Sequence, residues 1–274
     1  MAILSGSFQS RELFRKVSFT AVIPTSTRSI YEAKIENEEE GKPLKTLYLL
    51  NGWDGNHEDW LHNTRIAELA IKYHVAVIMP DGQNSFYADH PNGDNYGTYI
   101  GEELVQETRK LFHLSTKKED TAIGGLSMGG YGALRNGLSY LDTFGTIIAL
   151  SNKVLTKSSK EHFDAAYPIY QRLQAIVQTD RAEKMPDEMD IESLVLNALE
   201  QPEKKPDLYL ACGTEDDIFQ ENKKLHQFLV AHGYQHKYIE APGKHDWDFW
   251  NATIKDSMEW LYGENKTSQI SSPC

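Results

Sequence analysis

Short apolar runs alternate along this chain with stretches in which apolar residues recur at helical spacing. Thr46-Leu47-Tyr48-Leu49-Leu50 and Val75-Ala76-Val77-Ile78-Met79 are continuous runs, the pattern of strands buried on both faces. Between them Ile66, Leu69, Ala70 and Tyr73 fall on one helical stripe, and Pro80-Asp81-Gly82 ends the second run as a turn. The same reading predicts strands at Thr121–Gly124, Gly145–Leu150, Asp207–Cys212 and Lys237–Ala241. It predicts helices over about 99–112, with Ile100, Leu104, Thr108 and Leu111 on one stripe, and over about 219–232 and 248–261. Residues 7–23 alternate more loosely, with Leu13, Val17, Phe19 and Val22 as inward positions of edge strands, and 24–45 reads as a charged loop. Within that loop Glu38-Glu39-Glu40-Gly41 reads as a solvated turn. Strands and helices in alternation imply an α/β chain with a mostly parallel sheet covered by helices on both faces.

Residues 152–206 break the rhythm. They offer no strand, only helical material around 163–177 and 191–199, interrupted by Pro168 and Pro186. Placed between two parallel strands, such an insertion sits near the carboxyl ends, where open α/β sheets bind ligands. It is read as a helical cap over the site, against the alternative of helices that only pack. The expected organisation is one domain over 1–264 that includes this insertion, followed by a flexible polar tail at 265–274.

Bulk composition narrows the partners. The chain has 274 residues, 40% of them hydrophobic, and a formal net charge of -12. That charge disfavours nucleic acid and anionic membrane surfaces. Neither nucleic acid nor a membrane is an expected partner, and a homo-oligomer is compatible with the composition. Two cysteines, Cys212 in a predicted strand and Cys274 at the end, make no disulfide framework. The first residues lack the features of a signal peptide and no run reaches transmembrane length, so the expected location is cytoplasmic.

Candidate chemistry centres on Gly125-Leu126-Ser127-Met128-Gly129, which follows the Thr121–Gly124 strand and precedes a helical stretch beginning near Tyr131. Strand, sharp turn and helix are the context that makes such a pentapeptide a nucleophile elbow. A serine needs a base, and the base needs an orienting acid, in the chain order Ser, Asp/Glu, His. Glu215, Asp216 and Asp217 follow the Asp207–Cys212 strand; Asp216 is taken as the acid, with Asp217 second. Of ten histidines, His245 alone combines the chain order with a loop after the last strand, and Asp246 reads as the cap of the next helix. The backbone amides of Met128 and Trp53 are the expected oxyanion donors.

Two other patterns do not carry chemistry. His57 and His62 resemble a zinc-protease pair, but residues five apart stand roughly 140° apart around a helix. No Gly-Lys-Ser/Thr follows the paired glycines near Ser127, which excludes a phosphate loop. Neither a cofactor nor a metal is therefore expected. The polar stretch 81–95, with Phe86, Tyr87, His90 and the adjoining Tyr96, reads equally as a groove lining or a surface loop.

The segments at 49–60, 79–87, 125–134, 211–217 and 243–250 together resemble the esterase D-type carboxylesterases, with bacterial tributyrin esterases as the nearest branch. S-formylglutathione hydrolases, feruloyl esterases and antigen 85 mycolyltransferases resemble the chain more distantly. The resemblance implies an α/β-hydrolase fold and metal-independent hydrolysis of short acyl esters through an acyl-enzyme. It carries the roles of nucleophile, acid and base onto Ser127, Asp216 and His245, and of oxyanion donors onto the Trp53 and Met128 amides. Where the family carries His-Gly, this chain has Asn51-Gly52, and the Cys-Thr pair of formylglutathione hydrolases is absent. Acyl transfer, or feruloyl, acetylxylan or formylglutathione hydrolysis, would use the same residues. A non-catalytic domain on this fold would have no need of all three.

Overall fold

The computed structural model describes residues 1–25, 41–158, 168–177 and 184–263. The Glu38–Glu40 run, the start of the first insertion helix and the 265–274 tail lie outside the described residues. In chain order the elements are β1 (Ala2–Gln9), β2 (Lys16–Ile23), β3 (Lys45–Leu50), α1 (Asp59–Asn63), α2 (Ile66–Lys72) and β4 (Val75–Pro80). A helical run follows, made of α3 (Tyr96–Thr98), a π-turn (Tyr99–Glu103) and α4 (Leu104–Leu111). Then come β5 (Thr121–Leu126), α5 (Met128–Ser139), β6 (Thr146–Leu150), α6 (Pro168–Val177) and α7 (Ile191–Leu199). The chain closes with β7 (Asp207–Gly213), α8 (Phe219–Ala231), β8 (Lys237–Ala241) and α9 (Trp247–Tyr262).

The strands form one eight-stranded sheet in the order β1-β2-β4-β3-β5-β6-β7-β8. β2 runs antiparallel to β1 and β4, and every other pairing is parallel. Alternating side chains on a strand point to opposite faces, and the core follows that parity. Tyr48, Leu50, Ile78, Ile123, Ile147 and Leu210 share one cluster with buried residues of α4, α5, α7 and α8. Leu47, Leu49, Val77, Leu126, Ile148 and Ala211 share the other with α1, α2 and α9. Val17 and Phe19 belong to the first cluster and Val22 to the second, so β2 also buries both faces.

Much of the insertion is core. Ile191, Val195 and Ala198 of α7 and Leu173 of α6 are fully buried in the α5-side cluster. The Tyr131 hydroxyl of α5 donates to the Met189 carbonyl at 2.9 Å, and Ile191 N–H donates to the Leu155 carbonyl at 3.1 Å. Among the described residues, no helix is long and apolar enough to cross a membrane.

Candidate active site

The carboxyl ends of β5, β6 and β7 extend the sheet by one further rung each. Ser127 N–H donates to the Leu150 carbonyl at 3.0 Å, and Ser151 N–H to the Ala211 carbonyl at 2.7 Å. Beyond β7, Thr214 N–H donates to the Ala241 carbonyl at 2.9 Å. Each chain then turns away, leaving loop residues along one rim.

Ser127 makes its turn with φ 53 and ψ -118, between the last residue of β5 and the first of α5. The flanking glycines have a steric cause. A Cβ on Gly125 would stand 2.4 Å from the Gly129 backbone, and one on Gly129 would stand 2.5 Å from the Leu50 carbonyl oxygen. Left-handed backbone outside glycine is uncommon and clusters at functional sites. Asp54, Gln83, Phe86, Tyr87, Ser127 and Ser151 all adopt positive φ, and each lies in a loop at this end of the sheet.

The three side chains that the sequence nominates come together. Ser127 Oγ is 3.0 Å from His245 Nε2, and His245 Nδ1 is 2.9 Å from Asp216 Oδ2 and 3.1 Å from Oδ1. Of the three consecutive acids only Asp216 is buried; Glu215 and Asp217 are exposed. Burial alone would push the Asp216 carboxyl up, but the His245 hydrogen bond, the Ile218 amide and the nearby Ser151 outweigh it and hold it below the ordinary carboxylate range. An ionised carboxylate only accepts, so the ring proton sits on Nδ1 and leaves the Nε2 lone pair for the Ser127 hydroxyl. Trp250 meets the imidazole edge-on at 5.0 Å. Asp246 caps α9, its Oδ1 accepting from Phe249 N–H at 3.1 Å, and takes no part in holding the ring.

Met128 is the first residue of α5, where an amide has no intrahelical acceptor and the helix dipole is positive. The Gly52 Cα lies beside Ser127; a Cβ there would come within 3.7 Å of the serine Cβ. Among the described residues, neither the Trp53 nor the Met128 N–H donates to an acceptor. Asn51 secures the loop from below: its Nδ2 donates to the Gly52 carbonyl at 2.9 Å, and its Oδ1 accepts from Gly82 N–H and the Tyr87 hydroxyl, both at 3.0 Å. The Trp53 ring packs on Phe86 (5.7 Å) and Phe86 on Tyr131 (5.9 Å), with Phe86 and Tyr131 fully buried. Within 81–95, the buried Ser85–Ala88 segment forms a wall beside the Asn51–Trp53 loop, whereas Asp89 and Pro91–Gly93 lie exposed at the surface.

Further polar residues at the rim carry no sequence signal, because their meaning lies in contacts across loops. Lys153 N–H donates to the Ser127 carbonyl at 3.0 Å, its Nζ pairs with Glu221 at 2.8 Å, and it lies over the Tyr170 ring of α6 at 5.5 Å. Arg172 of α6 donates to the Asn84 carbonyl at 3.0 Å, joining insertion and wall. Cys212 is buried, and burial pushes its thiol well up, so it acts as a small apolar residue. His57 precedes α1 and bonds the Thr20 hydroxyl at 2.8 Å, so the zinc-like pair does not share a helix.

The putative esterase family model matches residues 31–261. An acetyl esterase of Caldicellulosiruptor saccharolyticus is 40% identical over 272 residues, spanning 95% of this chain and 98% of that protein. Two Staphylococcus aureus structures are similar at 28% identity, each covering 95% of this chain and 98% of its own. One is a fluorophosphonate-binding serine hydrolase, with a TM-score of 0.82. The other is an S-formylglutathione hydrolase, with a TM-score of 0.77.

Proposed function

This chain belongs to the putative esterase family and is a serine esterase of the α/β-hydrolase fold, a carboxylic ester hydrolase; from that premise we propose that it cleaves short acyl esters through an acyl-enzyme on Ser127. The observation that carries the reading is the unbroken line from Ser127 Oγ through His245 to buried Asp216, with contacts of 3.0 and 2.9 Å. His245 Nε2 accepts the Ser127 proton as Oγ bonds to the ester carbonyl carbon. The Trp53 and Met128 amides hold the carbonyl oxygen as it becomes an oxyanion. Collapse breaks the ester C–O bond, and the imidazolium returns its proton to the departing alcohol. Water then gives a proton to the same Nε2 as its oxygen bonds to the acyl carbon; collapse breaks the Oγ–acyl bond, the imidazolium returns the proton to Ser127 Oγ, and the acid leaves. Asp216 fixes the tautomer and balances the imidazolium.

A short acyl group is favoured by the filled wall of Trp53, Phe86 and Tyr131 beside the oxyanion loop, and the 40% identical acetyl esterase supports it. In this reading 1–264 acts as one domain, with the α6 part of 152–206 as the cap over the site, and neither metal nor cofactor enters the reaction. The test is p-nitrophenyl acetate hydrolysis by Ser127→Ala and His245→Ala, each expected to lose roughly three to six orders of magnitude in kcat with folding intact. Ser127→Ala should also escape fluorophosphonate labelling. A Ser127→Ala enzyme keeping most of its turnover defeats the reading. A p-nitrophenyl series from acetate to laurate, beside acetylxylan and a feruloyl ester, should show a sharp preference for the shortest acyl groups.

A further inference from the structure

The His245 ring is one link between Ser127 and Asp216; a second path of hydrogen bonds joins the same two residues without it. The path runs through the peptide between Asn152 and Lys153, at the end of β6. The N–H and C=O of a trans peptide point in opposite directions. Here the Lys153 N–H donates to the Ser127 carbonyl at 3.0 Å, and the Asn152 carbonyl accepts from Asn222 Nδ2 at 3.0 Å. Asn222 Nδ2 also donates to the Ile218 carbonyl, again at 3.0 Å. Ile218 N–H in turn donates to Asp216 Oδ1 at 3.0 Å. Nucleophile and acid are thus the two ends of one chain, and Asn222 supplies the side chain that links them.

Asn222 is buried near the start of α8. Asparagine is a poor helix former that favours caps and turns, so a buried one inside a helix needs a use. Its amide cannot be turned over, because Oδ1 would then face two carbonyl oxygens. As it stands, Oδ1 accepts no hydrogen bond among the described residues, which is unfavourable at a buried site. Threonine would serve the Ile218 carbonyl equally well. Thr253 bonds the Phe249 carbonyl and Thr108 the Leu104 carbonyl at the same spacing of four residues. What threonine lacks is the reach to Asn152. Asn136 of α5 is used in the same way, its Nδ2 donating to the Gly132 carbonyl of its own helix and to the Tyr87 carbonyl of a rim loop.

We propose that Asn222 is a positioning residue of the esterase, its amide setting the spacing between the Ser127 turn and the Asp216 loop so that one imidazole reaches both. This rests on the Ser127–His245–Asp216 reading above. β6 lies between the strand that carries Ser127 and the strand that leads to Asp216, so a shift of the Asn152–Lys153 peptide moves one end of the relay against the other. Reacting groups must hold their places to about 0.5 Å, and a misplacement of about 1 Å can cost about a hundredfold in rate. Lys153 Nζ and Glu221, 2.8 Å apart, join the same two loops by a separate contact.

Asn222→Thr keeps the bond within the helix and loses the one to Asn152; Asn222→Leu keeps the volume and loses both. Each is expected to lower kcat on p-nitrophenyl acetate roughly ten- to hundredfold with KM little changed. The rate of fluorophosphonate labelling should fall by a similar factor, because it needs the same activated Ser127 and no turnover. Asn222→Leu leaves two carbonyls without this donor; should it fail to fold, Asn222→Thr decides, with the Lys153–Glu221 pair still in place. An Asn222→Thr enzyme that melts lower but keeps its kcat and labelling rate has lost only packing, and overturns the proposal. So does one whose loss falls on KM, which would assign Asn222 to the shape of the pocket. Either result leaves the relay intact, whereas an active Ser127→Ala enzyme overturns the relay itself.

Discussion

Gly129 is glycine because of two carbonyl oxygens. A methyl group there would stand 2.5 Å from the Leu50 oxygen and 2.6 Å from the Asn51 oxygen, both backbone atoms of the strand end and loop that lead to Trp53. The first accepts from Trp60 Nε1–H at 2.9 Å and the second from the Tyr87 hydroxyl at 2.8 Å, so neither can yield without breaking a buried hydrogen bond. Gly129→Ala is therefore expected to destabilise the fold by about 1–3 kcal/mol in denaturant titration, and to lower kcat/KM beyond what the unfolded fraction explains. Asp216 makes a different statement at the same scale. Burial opposes its charge, but the His245, Ile218 and Ser151 contacts prevail and its folded-state value is lowered. A lowered carboxylate contributes stability that is fully present above its unfolded value, about 3.9, and is lost as pH falls through the folded one. Urea midpoints measured from pH 5 down to pH 2 should fall more steeply for the wild type than for Asp216→Asn, and parallel curves would contradict that. The Ser127–Met128 turn, His245 and the acidic triplet were all legible in the sequence, since each is a residue type at a fixed offset from a strand. Which of the three acids faces the histidine was a choice that burial alone could justify.

At the scale of elements, the loop proposed to supply the Trp53 oxyanion donor is held by the buried side-chain amide of Asn51. Asn51 ties Gly52, Gly82 and Tyr87 together with one side chain. Asn51→Ala leaves the Gly82 N–H without its acceptor, and a loss of about 1–3 kcal/mol is expected. The oxyanion should suffer more than substrate binding, so kcat on p-nitrophenyl acetate should fall with KM nearly constant. Parallel-strand positions were readable because buried runs such as Val75–Met79 have no other use; observed β4 adds only Pro80. Edge structure was not. β1 starts at Ala2 and exposes Ile3 and Leu4, so its alternation carries little apolar contrast, and Leu13 is buried from the turn between β1 and β2 rather than from a strand. The π-turn at Tyr99–Glu103 has no sequence signal, and Leu111, expected on one stripe with Ile100, Leu104 and Thr108, is exposed instead.

Over the whole molecule, the insertion divides its labour. α7 is packed into the α5-side core, as the reading of helices that only pack anticipates, while α6 reaches the site through Tyr170 near Lys153 and Arg172 on Asn84. Sequence periodicity marked both helices but could not separate these parts, since apolar stripes look alike whether they cover a sheet or a site. Arg172 is exposed, so Arg172→Ala should leave stability within about 0.5 kcal/mol. If α6 bounds the alcohol side, the variant should change KM for esters of bulky alcohols and leave ethyl acetate unaffected. Equal KM values across both substrates would remove α6 from the specificity argument. The interlocked glycines of the Ser127 elbow bear on anyone reshaping this enzyme. Gly125 has no room for a side chain against Gly129, nor Gly129 against the Leu50 and Asn51 carbonyls, so combinatorial libraries gain nothing from touching those two positions, and diversity belongs instead at Tyr170 and Arg172 of α6, which are not buried.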